Sequence, residues 1–161
     1  MTEHGWLDVR EARAWRALQM MHLRLDGELA RQLAADSELS YPDYVVLVAL
    51  TDRPDGTMRM FELAETLGWE KSRVSHQVTR MAERELVVRK RCVDDRRGAF
   101  VAITDLGRRQ IEAAAPSHVA AVRRLFIDRL SPAQLDAIAE AAEAVLAGLG
   151  DPPPGSGAPA R

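Results

Sequence analysis

Ser72, Arg73, Ser75, His76 and Arg80 crowd into one stretch between Lys71 and Glu85. Val74, Val78 and Met81 recur there at i, i+4 and i+7, which predicts a helix over 71–85 with one buried face. With Val74 at the origin and about 100° per residue, Ser72, His76, Thr79, Arg80 and Glu83 fall on the opposite side. Arg73 and Ser75 lie on the two flanks. Arginine and histidine donate to the acceptors on a guanine edge, and serine serves base edges or phosphate. Such a face suits the major groove of duplex DNA. A second group follows at Asp94-Asp95-Arg96-Arg97-Gly98, a polar turn between two β-prone runs. Arginine is the side chain suited to the focused negative potential of a narrow minor groove. Arg96 and Arg97 stand at the expected tip, and Asp94 can orient a guanidinium through a fork-like pair.

Charge is distributed to match. The chain carries −2 overall, but residues 71–97 hold nine basic and four acidic residues, a local +5. The remainder holds 13 basic and 20 acidic residues, or −7. A phosphate-binding surface needs local charge rather than a basic chain.

The positioning elements are read from periodicity and caps. Apolar residues from Ala14 to Leu33 predict a long amphipathic helix over 8–35. Ser40 as N-cap with Pro42 in the first turn opens a second, nearly all-apolar helix that stops at Arg53-Pro54-Asp55-Gly56. Met60 to Leu67 is a short helix ended by Gly68. Leu86 to Val93 and Ala99 to Ile103 read as a β-hairpin, the wing being 88–103. Thr104 caps a helix running toward Leu130, which Pro116 bends or divides. Ser131-Pro132 starts the last helix, and residues 151–161 read as a disordered tail. The fold class expected is mainly α with a small β-hairpin. A winged helix-turn-helix lobe at 40–103 would stand on an α-helical dimerisation region, 8–35 and 104–149, within one domain over 1–150.

These features resemble the MarR family of bacterial regulators. The matching residues are Leu63-Ala64, Ser72 to His76, Met81, Glu85-Leu86-Val87, Asp94 to Arg97 and Ile103 to Gly107. The resemblance implies a triangular homodimer, a groove-reading helix at 71–85, an arginine at Arg96 entering the minor groove and Asp94 as its partner. Glu70 departs from the pattern, standing where many members have a small capping residue. The resemblance also implies a small aromatic or phenolic ligand between the dimerisation helices and the DNA-reading lobe. Trp15, Arg16, His22, Tyr41 and Tyr44 are the candidates for it, with core packing the alternative for each.

The dimer is also expected from the residues alone. The first helix and the last two bear more apolar surface than one small lobe can cover, and a twofold axis hides such stripes symmetrically. It would space the reading helices about 34 Å apart over a palindromic site. The single Cys92 excludes an internal disulfide and reads as a structural residue rather than a redox sensor. Scattered histidines give no zinc spacing, and no catalytic arrangement stands out, so neither cofactor, metal nor enzyme activity is expected. No signal peptide or spanning segment is evident, which makes the cytoplasm the expected location. The competing function is a winged-helix protein-interaction or architectural module.

Overall fold

The structure, a computed structural model, describes residues 6–91 and 99–149. The order is α1 (Val9–Asp36), α2 (Tyr41–Thr51), β1 (Thr57–Arg59), α3 (Met60–Leu67), α4 (Lys71–Glu83), β2 (Val87–Arg91), β3 (Ala99–Ile103), α5 (Asp105–Leu125), a 3-10 turn (Ile127–Arg129) and α6 (Pro132–Leu149).

Helix starts follow local chemistry. Asp8 Oδ1 accepts from the Glu11 N–H at 2.8 Å while Glu11 Oε2 accepts from the Asp8 N–H at 2.8 Å. Ser40 and Asp43 repeat this reciprocal cap on α2, and Ser131 and Gln134 do so on α6. Gly68 closes α3 with φ 61°, a left-handed conformation that costs glycine little.

The lobe core is built from α2, α3, α4 and the sheet. Leu47, Leu50, Leu63, Val74, Val78, Met81 and Val101 are wholly buried, and Leu33 of α1 and Ile111 of α5 pack onto them. The sheet has order β1-β3-β2, all antiparallel. Val101 lies opposite Met58 on one side and Arg89 on the other. The hairpin expected from sequence is therefore two strands of a three-stranded sheet. β1 went unpredicted because three residues are too few to show alternation.

Three expected boundaries need correction. Helix α4 ends at Glu83, not at residue 85, because Glu85 adopts φ 58° and turns the chain toward β2. The first wing strand starts at Val87 rather than Leu86 and reaches Arg91, and residues 92 and 93 lie outside the described residues. α5 continues through Pro116 as one helix and stops at Leu125, short of Leu130, where the 3-10 turn takes over. Pro116 is exposed, so the carbonyl that loses its N–H partner there can turn to water.

The joint between the lobe and α5 explains the Thr104-x-x-Gly107 pattern. Thr104 Oγ1 donates toward the carbonyls of Glu85 and Leu86 at 2.6 and 3.0 Å and accepts from the Gly107 N–H at 3.0 Å. A Cβ at Gly107 would stand 2.1 Å from the Leu86 carbonyl oxygen, so only glycine allows this approach. No helix among the described residues is long and apolar enough to cross a membrane.

Candidate nucleic-acid interface

Helix α4 has four sides with different tasks. Val74, Val78 and Met81 bury the first in the core. The second is polar and also buried. Gln77 is 8% exposed, and its amide donates to Asp43 Oδ1 at 2.6 Å. Arg84, just past the helix end, donates to Asp43 Oδ2 at 2.7 Å and to the Glu38 carbonyl at 2.6 Å. Asp43 is 1% exposed and also accepts from the Ser40 N–H at 2.9 Å. Burial pushes its carboxyl up, but the hydrogen bonds from Arg84 and Ser40, with the Arg84 charge, outweigh burial and hold it below the usual carboxylate range. The start of α2 is thereby tied to α4 and to the residue just past its end. Sequence reading missed this network because its members are 34 and 41 residues apart.

The third side is outward. Ser72, His76, Thr79, Arg80 and Glu83 are all exposed, as the wheel predicts. Arg73 extends this face at its flank, its guanidinium carbon 4.1 Å from the Trp69 ring centroid. Trp69 itself packs on the core, so the stack restrains Arg73 without hiding it. Glu70 makes no side-chain cap bond, in keeping with its departure from the family pattern.

The fourth side faces the wing. Lys71 and Ser75 line it together with Arg89 of β2, and Arg89 Nη1 donates to Thr79 Oγ1, at the border with the outward side, at 3.4 Å. Ser75 is half-buried there. Asp94, Arg96, Arg97 and Cys92 lie outside the described residues, so the expected wing tip is not among them.

The ligand candidates divide into two groups. Tyr41 and Tyr44 lie beside His118 of α5, with ring centroids 6.5 and 4.3 Å from it. His118 Nδ1 is 3.1 Å from Gln32 Oε1, and Gln32 Nε2 reaches Ser117 Oγ at 3.2 Å. Burial holds the His118 imidazole below its usual range. Burial, and then Asp26, raises the Tyr41 phenol; burial, and then Tyr41, raises that of Tyr44. Sequence reading counted His118 as scattered; only tertiary structure brings it to the tyrosines. Trp15, Arg16 and His22 do not join this cluster through any hydrogen bond or ring contact among the described residues. They are exposed on the N-terminal half of α1, where Arg16 Nε donates to the Ala12 carbonyl. No group of three or more potential metal-ligating side chains occurs among the described residues.

Comparison with known proteins agrees with this architecture. A MarR family model matches residues 37–98. The chain is similar to AbsC, a MarR family transcriptional regulator from Streptomyces coelicolor, at 39% identity and TM-score 0.83, covering 90% of this chain and 97% of AbsC. It is similar to Sco3205, a MarR family transcriptional regulator of the same organism solved in complex with DNA, at 36% identity and TM-score 0.86, covering 94% of each chain. CouR from Rhodococcus jostii RHA1, solved bound to p-coumaroyl-CoA, is 25% identical with TM-score 0.69, covering 80% of this chain and 88% of CouR. No curated protein sequence matches the chain.

Proposed function

The chain belongs to the MarR family of transcriptional regulators, and from that premise we propose that it acts as a homodimeric repressor binding a palindromic operator. Helix α4 enters the major groove with Ser72, Arg73, Ser75, His76 and Arg80 toward the bases and flanking phosphates. The wing places Arg96, with Arg97 beside it and Asp94 orienting it, in the minor groove. The observation that carries this reading is the division of α4. Two of its sides are consumed by packing and by the Asp43 network, leaving a solvent-facing side rich in donors. The DNA complex of the 36% identical Sco3205 supports the same partner.

The dimer is assigned to α1, α5 and α6. α6 buries no residue within one chain, and Ile138, Val145, Leu146 and Leu149 stand exposed on it. A twofold partner covers such a face and spaces two α4 helices for two half-sites. The effector is assigned to the side-chain cluster of Tyr41, Tyr44 and His118, whose aromatic faces and few donors suit a small aromatic or phenolic molecule. Trp15, Arg16 and His22 contribute only if the dimer brings them to that cluster. The ligand-bound CouR structure supports a small-molecule partner in the family. Binding there would favour a dimer whose reading helices are wrongly spaced. No catalysis is assigned.

Genomic footprinting with the purified protein tests the reading. Protected palindromes upstream of genes, lost in Arg96→Ala, are expected. His76→Ala and Arg80→Ala should each cost about 1–3 kcal/mol at the operator and relax its sequence preference. Full operator affinity in all three variants defeats the reading, and no affinity for duplex DNA at any salt favours a protein-interaction module.

A further inference from the structure

We propose that the cleft between α4 and the wing strands seats backbone phosphates of the DNA duplex, held by Lys71 and Arg89 with Arg59 behind them. This deepens the function proposed above and rests on it. The cleft is an open cavity of about 320 Å³ whose lining includes Arg59, Phe61, Lys71, Ser75, Arg89 and Ala99. Three cations from three separate elements, β1, α4 and β2, therefore converge on one recess. Among the described residues no carboxylate forms an ion pair with Lys71 or Arg89.

The two arginines are held in place. Arg89 donates to Thr79 Oγ1, and Thr79 in turn donates to the Ser75 carbonyl at 2.9 Å, so the guanidinium is led along the flank of α4. Arg59 lies over the Phe100 ring, 4.9 Å from its centroid. Ser75 adds a hydroxyl to the same recess.

Duplex geometry names the occupant. One sugar–phosphate strand separates a major groove from the next minor groove. A protein with a helix in the first and a hairpin in the second must straddle that strand. The recess is lined by Lys71 and Ser75 of α4 and by Arg89 and Ala99 of the hairpin strands, so a backbone straddled in this way would pass over it. Lysine as a point charge, arginine as a two-pronged donor and serine as a neutral donor are the side chains that contact phosphate oxygens. Contacts of this kind fix register and carry no sequence information.

The test is a salt series on operator and random duplexes. Lys71→Ala and Arg89→Ala should each flatten the slope of log K against log salt by about 0.9. Each should weaken both duplexes by the same factor, and Arg89→Lys should restore most of the loss. His76→Ala and Arg80→Ala should instead change the ratio between duplexes. Wild-type slopes in both Lys71→Ala and Arg89→Ala, with Arg80→Ala still impaired at the operator, overturn the seat and leave the regulator intact. A wild-type protein that binds no duplex overturns the regulator itself. Pyrophosphate added to the free protein at constant ionic strength should not raise its thermal midpoint. A rise that disappears in Lys71→Ala would assign the recess to a small anion and overturn the proposal.

Discussion

The winged lobe and the helical arm differ most at their apolar surfaces. In the lobe, Leu47, Leu50, Leu63, Val78 and Met81 are closed off from water within one chain. On the arm, α1 buries only Leu29 and Leu33 along 28 residues and α6 buries none, while Leu23, Val145 and Leu149 are 71%, 62% and 77% exposed. The lobe completes its own core; the arm's apolar residues stay open among the described residues. In the homodimer proposed above, the geometry of α4 would be set inside one subunit, and the spacing between two such helices would be left to association.

The largest expected break in that contrast comes from the lobe. Leu47→Ala should lower unfolding free energy by about 2–5 kcal/mol, read by denaturant unfolding, with the same loss at every protein concentration. Val145→Glu should act in the opposite manner. The lobe stays folded, but the dimer weakens by about 100-fold, read by sedimentation across a dilution series. Unchanged association in Val145→Glu would remove α6 from the interface.

A smaller effect probes the tie inside the lobe. Asp43→Asn should cost about 1–3 kcal/mol, because the ion pair with half-exposed Arg84 is lost while the amide still meets Ser40 or Gln77. Operator affinity should fall at temperatures where the variant remains folded.

The smallest effect is in pH. His118 and Asp43 both have folded-state pKa values below their ordinary ones, so each gives stability that is present above its unfolded pKa. Each contribution is lost as pH falls through the folded value. The thermal midpoint should therefore decline in two stages, first below about 6.5 from His118 and then below about 3.8 from Asp43. His118→Gln should abolish the first stage and leave the second. A first stage that persists in this variant would mean another group titrates there.

Features set by neighbouring residues are legible in the sequence alone. Ser40, Thr104 and Ser131 mark helix starts, and Gly68 marks an end, because caps act over three or four residues. The outward face of α4 is legible because Val74, Val78 and Met81 fix the wheel. The Asp43, Gln77 and Arg84 network is not, since polar residues on a helix carry no periodic mark of burial. The meeting of His118 with Tyr44 is equally hidden, as it depends on how α2 and α5 pack. β1 exists only through its pairing with β3, and Glu85 turns left-handed because the chain must reverse beside Thr104.

Among the described residues the sheet order β1-β3-β2 leaves β2 paired on one side only. Its outer edge offers unpaired backbone groups beside Val88, which is 42% exposed. An open edge of this kind invites a second strand and, from there, aggregation. Arg89 and Lys90 sit exposed on that strand, and like charge keeps two copies from joining edge to edge. Arg89, proposed above to hold a phosphate, thus has a second task as a gatekeeper of solubility. Neutralising it together with Lys90 would bare the edge, whereas exchanging both for glutamate would remove the proposed phosphate seat and keep the edge guarded.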